Sequence, residues 1–315
     1  MIDFRYHIVS IVAVFLALAL GLFLGSTTLQ GAVFQNLQHS LTKAQNHVTA
    51  LENSADQLNN QLDHDRAFAR LVQPYAVAGR LSGQLVVIVS APGASGDIRS
   101  ALMTTLEQAG ATVTADVRLQ STLIDPRQDA FLSGLADRVS IPGRDAPTGT
   151  GAERAVAQIA DVLGIRPDKR PLSTSTIANI LATYSDGNLL TTPPVHGNEP
   201  RPGTLTIVLT GPAPARTADP QLVQAEETVL TDLAKDLDTT SLGAVVVGPA
   251  SNAAAPTDLV TAVQASAGSG VSAVRGVDQN SGLIASVFAL VEQLNGKSGS
   301  YGTVPGAKPL PTPSP

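Results

Sequence analysis

Three features of the 315-residue chain predict an N-terminal transmembrane helix, then a long coiled-coil helix, then an α/β domain with a mainly parallel, Rossmann-like sheet. An apolar run fills residues 8–24, broken only by Ser10. A seven-residue repeat follows from Phe34 to Val72. Beyond residue 80, short β-branched runs alternate with helical patterns, the signature of strands joined by helices.

With Thr27, Thr28 and Leu29, the apolar run reaches the roughly 20 residues needed to cross a hydrocarbon core of ~30 Å. A cleaved secretory signal is the rival reading. The run is longer than the usual ~7–15 apolar residues of such a signal, and Phe23, Leu24 and Leu29 spoil a small-residue cleavage site near its end. Arg5 precedes the span and the next basic residue is Lys43, so the positive-inside rule keeps the N-terminus cytoplasmic and exports the bulk of the chain. Within the span Ala13, Ala17, Gly21 and Gly25 recur every four residues, which leaves one helix face small enough for close packing of helices.

The repeat places Phe34, Leu41, Val48, Ala55, Leu62 and Ala69 at one seam position and Leu37, Ala44, Leu51, Leu58, Asp65 and Val72 at the other. Only Asp65 breaks this seam, and no Pro or Gly interrupts residues 32–73. A helix over the repeat would extend about 58 Å at ~1.5 Å per residue. Its apolar stripe asks for a partner, and a parallel dimer of the chain satisfies it; folding back on the chain's own globular part is the alternative. The organisation is thus a cytoplasmic stub and anchor at 1–28, a coiled coil at 29–79, an exported α/β domain at 80–300 and a Pro-rich disordered tail at 301–315.

In the exported part, residues 85–89 (LVVIV), 111–117, 205–210, 244–247 and 271–274 read as buried strands. Helical patterns cover 98–109, 129–139, 151–163, 174–184, 220–237, 256–266 and 283–294. Pro193, Pro194, Pro200 and Pro202 mark an extended crossover near 186–203 between the two halves of the sheet. Three strands end in related turns, carrying Pro92 and Gly93, Gly211 and Pro212, and Gly248 and Pro249. In a parallel sheet these share the carboxyl edge, where a ligand crevice forms.

Composition excludes several classes. A formal net charge of −6 argues against nucleic acid as a partner, and 3% aromatic residues leave little for stacking on sugars. The absence of cysteine rules out disulfides, thiolate metal sites and lipoprotein acylation. Neither a GxGxxG nor a Walker A loop is present. Of five histidines, His7 lies beside the span, His39, His47 and His64 in the coil and His196 in the crossover, so catalysis by a Ser-His-Asp arrangement has no support and the chain reads as a non-enzyme. Asp97, Asp116, Asp219 and Asp278 fit helix caps better than a catalytic pair. His196 and Met103 are the only soft metal donors in the globular part, and no cofactor is predicted.

The run SIVAVFLALALGLFLGS from Ser10 to Ser26, the coil, the LVVIV strand with its loop and helix, and the closing Ser300-Tyr301-Gly302 resemble the actinobacterial MctB family. That resemblance implies copper transport and an outer-membrane location. Through the family's SteB-like members it implies instead a role at the cell envelope and septum, with a cytoplasmic partner and peptidoglycan hydrolases or their regulators as targets. The single N-terminal span fits the inner membrane.

Overall fold

The computed structural model describes residues 4–168, 170–212, 218–250, 260, 270–302 and 308–311; of residues 4 and 26–36 it gives the helical backbone only. Its contacts divide the chain into two units, Met1–Asp65 and Arg66–Pro315.

The predicted anchor and coil form one helix, α1 (Phe4–Val77). Its stretch Arg5–Gly25 is long and apolar enough to cross a membrane, and every large apolar side chain there is exposed, as a lipid-facing helix requires. The first unit contains only this helix. In the second unit α1 continues from Val72, the expected end of the repeat, to Val77, more than one further turn. Pro74 lies inside it, without a backbone N–H to give, and its own carbonyl accepts from Ala78 at 3.1 Å. Gln73 ties this end down by hydrogen bonds. Its Nε2 donates to Thr105 Oγ1 at 2.8 Å while its Oε1 accepts from Asn280, and Val77 beside it is fully buried.

The second unit is a three-layer α/β structure around one seven-stranded sheet. In chain order its elements are β1 (Leu85–Ser90), α2 (Gly96–Gln108), β2 (Thr112–Leu119), α3 (Ser121–Ile124) and a 3-10 turn (Pro126–Gln128), then α4 (Asp129–Ala136), α5 (Gly151–Leu163), α6 (Thr174–Asp186) and β3 (Leu190–Thr191). There follow β4 (Leu205–Leu209), α7 (Pro220–Thr240), β5 (Ala244–Gly248), β6 (Ser272–Arg275), α8 (Asn280–Leu294) and β7 (Ser300–Gly302). The sheet order is β3-β2-β1-β4-β5-β6-β7, and every pair is parallel except β2 with β3. β1 has β2 on one side and β4 on the other, so the strand order reverses between β1 and β4.

The alternation of side chains along the strands separates two cores. Val87, Val89, Val117, Val208 and Val246 face α5, α6 and α7. Val86, Ile88, Ile207, Val245 and Val274 face α2, α8 and the end of α1. A capping box starts α5: Thr150 accepts from the Glu153 amide while the Glu153 carboxylate takes the Thr150 N–H at 2.8 Å. The buried Gln158 amide donates to Ala136 O at 3.2 Å and Val139 O at 3.1 Å and accepts from Tyr184, whose hydroxyl burial holds well above its ordinary pKa.

All five expected strands form, with shifts of one or two residues at their ends. The two edge strands escaped prediction because β3 and β7 are only two and three residues long, too short for a period to register. β7 also begins before the expected tail boundary at 301, and Gly302 N–H bonds Lys308 O at 3.0 Å. The helix expected at 256–266 lies outside the described residues except for Val260. Within residues 186–203 the chain forms β3, and at its end Arg201 N bonds Thr114 O at 3.0 Å and Thr204 N bonds Leu85 O at 2.8 Å beside the amino ends of β2 and β1 before β4 begins.

Candidate functional site

The predicted seam runs along one helix whose surface stands open over the first unit. Leu37, Leu41, Val48, Leu51, Leu58 and Leu62 are between 49% and 64% exposed, and Ala44, Ala55 and Asp65 are exposed with them. The side chain of Phe34 lies outside the description. Beyond Asp65 the same helix face changes use. Ala69 and Val72 are half-buried and Gln73 and Val77 buried within the second unit, while Phe68, Leu71 and Tyr75 on the opposite face are 68%, 72% and 85% exposed. In the span, Ala13 and Ala17 are exposed, and a methyl group built on Gly21 or Gly25 would meet nothing within 4 Å.

At the carboxyl edge the Gly-Pro turns pack against one another. Ala91 N donates to Leu209 O and Thr210 N to Val247 O, both at 2.8 Å. A side chain at Gly211 would come within 3.3 Å of Pro92 O, with Gly93 close behind, and one at Gly248 within 2.5 Å of Thr210 Oγ1. Pro249 leads into Ala250, whose N–H is held by Asp278 at 2.7 Å. Among the caps expected from sequence, Asp219 starts α7 by accepting from Gln221 N at 2.9 Å. Asp116 instead lies in β2, 3% exposed, with Arg118 Nη2 at 2.8 Å and Arg99 Nε at 3.4 Å on one carboxylate oxygen. Among the described residues its other oxygen and the hydroxyl of buried Ser90 on β1 have no hydrogen-bond partner.

The open cleft on this side of the sheet lies elsewhere. It follows β2 and β4, between α3, the 3-10 turn and the starts of α4 and α5 on one wall and the first half of α7 on the other. Two adjoining cavities of about 480 Å³ and about 560 Å³ share Ile124 and Asp125. No residue of α7 before Val229 is buried, so that half of the helix stands off the core. The Arg127 guanidinium grips both oxygens of Asp125, at 2.8–3.1 Å, and holds its carboxyl below the ordinary range. Burial pushes Glu226 the other way, above it. Sequence patterns missed this cleft because its apolar walls come from five separate segments; the one local signal is that α7 opens on amides and carboxylates before its buried run begins at Val229.

The soft donors are spread out. His196 sits in a left-handed turn with φ of 49°, its Nε2 2.6 Å from Glu107 Oε1 on α2, and half-buried Met103 lies one turn earlier on that helix. Among the described residues no three His, Asp or Glu stand close enough together to hold a metal ion.

One apolar helix near the N-terminus joined to a mostly parallel α/β unit defines a membrane-associated class of protein. The family described as copper transport outer membrane protein, MctB, matches residues 1–312, and the chain belongs to it. The copper transporters MctB of Mycobacterium tuberculosis and Mycobacterium bovis are each 28% identical to it over 98% of both chains. That of Mycobacterium leprae is 26% identical over 99% of this chain and 100% of its own length.

Proposed function

We propose that the chain is a single-pass protein of the inner membrane, N-terminus cytoplasmic, that pairs in parallel through α1. Outside, its Rossmann-like α/β unit acts as a docking module for another envelope protein, such as a peptidoglycan hydrolase or its regulator, while the N-terminal stub meets an inner-face partner. The observation that supports this reading best is the exposed row from Leu37 to Leu62, continuous in one helix with an apolar span. A soluble helix with such a stripe is stable only when the stripe is covered. The exposed Phe68, Leu71 and Tyr75 add an apolar patch of the kind that marks protein contacts. A cysteine at position 51 should cross-link copies of the chain, because a parallel pair sets Leu51 opposite Leu51; absence of that product in intact membranes would refute the pairing.

The names of the relatives favour a second reading, in which the assembly transports or buffers copper. Copper would then be cargo met by scattered imidazoles and a thioether. The outer-membrane part of the family description fits less well, since proteins spanning that membrane are closed β-barrels.

A further inference from the structure

We infer that the groove along the first half of α7 is a docking site for a basic, apolar segment of a partner protein. This deepens the docking role proposed above and rests on it.

Size comes first. From Asp219 to Val229 the helix offers a wall of about 15 Å at ~1.5 Å per residue. An extended peptide of four or five residues covers that length at ~3.3 Å per residue. The two adjoining cavities, about 480 Å³ and about 560 Å³, give it room on both sides of the Ile124–Asp125 ridge.

Chemistry sets the kind of peptide. Ile124, Leu132, Leu222, Val223 and Val229 supply apolar wall, and Leu222 is one of the few large apolar side chains of the second unit that stand exposed. Among the described residues the charged lining is five carboxylates against the guanidinium of Arg127. Four of the five already have work within the fold: Asp125 with Arg127, Asp129 with Gly151 N, Glu153 with Thr150 N and Asp219 with Gln221 N. Glu226 makes no hydrogen bond or ion pair among the described residues, although it is half-buried and loses hydration there. An uncompensated carboxylate beside an apolar wall is complementary to a Lys or Arg whose aliphatic stem lies on Leu222 and whose head meets Glu226. An acidic segment would meet repulsion from every side of the groove.

The test uses the full-length chain in lipid nanodiscs and two labelled probes, the peptide Leu-Lys-Leu-Arg-Leu and its counterpart Leu-Glu-Leu-Asp-Leu, read by fluorescence anisotropy. The basic probe should bind, more weakly as ionic strength rises, and the acidic probe should not. Glu226→Gln and Leu222→Ser should each weaken the basic probe about fivefold. Both side chains project from the unburied half of α7, so these variants keep the fold, which circular dichroism checks. Equal binding of the two probes, or unchanged binding in both variants, overturns the assignment. So does a change of oligomeric state in Leu222→Ser, which would make a second copy the occupant. Cross-linking through position 51 is read on the same samples: dimers without probe binding defeat the groove alone, whereas lost dimers strike the pairing instead.

Discussion

Asp116 on β2 is 3% exposed, and Arg99 and Arg118 converge on one of its carboxylate oxygens. Asp116→Ala strands two guanidinium groups over the sheet and should lower stability by about 2–3 kcal/mol in urea titrations, below the ~3–5 kcal/mol of a fully buried pair because Arg118 is 40% exposed. Burial raises the pKa of Glu226, Asp232 and Asp238, so each contributes stability that is complete below its unfolded pKa and fades as pH rises through the higher folded value. Asp125, lowered by Arg127, works in the opposite sense and loses its contribution on acidification. Glu226→Gln should therefore flatten the decline of stability between acid and neutral pH and raise it at neutral pH by a few tenths of a kcal/mol. Thermal melts of both proteins across that range check it, and a decline unchanged in the variant would refute the assignment to Glu226. Little of this was legible from sequence. The sequence reading of Asp116 as a helix cap fails because the residue lies within β2, where arginines of α2 and β2 fold over it, a pairing no local pattern reveals.

Elements were more legible, since period and composition are local. The LVVIV run and the spacing of Leu102 and Leu106 are enough for β1 and α2. What they do not carry is the handover on α1. The repeat counts Ala69 and Val72 as seam, yet that face turns toward the sheet near Arg66, where Gln73 is bound from both α2 and α8. Asp65, the one polar seam residue, stands at the boundary. Two expectations follow. With a cysteine placed instead at Val48, a neighbouring seam position, Leu51→Asp combined with Leu58→Asp should abolish cross-linking of the paired form, whereas Ala69→Leu should leave pairing intact and cost packing in the second unit instead. Separately, Thr150→Ala removes half of the α5 capping box and should cost ~1 kcal/mol, as cap deletions generally do.

At the scale of the whole molecule, topology is open to direct measurement because the sequence holds no cysteine, so any introduced thiol is unique. A cysteine at Ser26 or Ser40 should react with impermeant maleimide in intact, envelope-stripped cells; reaction only after lysis would reverse the orientation. Copper handling is tested by replacing His39, His47, His64, Met103 and His196 together. On the scaffold reading the exported region binds copper no better than any protein with a few exposed imidazoles, and the fivefold variant keeps its envelope function. Tight, stoichiometric binding that disappears in the variant would restore copper as cargo.

The ends of the sheet bear on how neighbours can be recognised at all. β3 offers two residues on one side, and on the other β7 offers three, with Tyr301 already bridged to Lys308. Proteins held side by side in a membrane meet at high local concentration, and a long bare strand there would zip one molecule to the next by main-chain bonds. Among the described residues neither margin is long enough to serve as such a template. Strand addition has little edge to use there, which leaves side chains of the second unit for whatever it grasps.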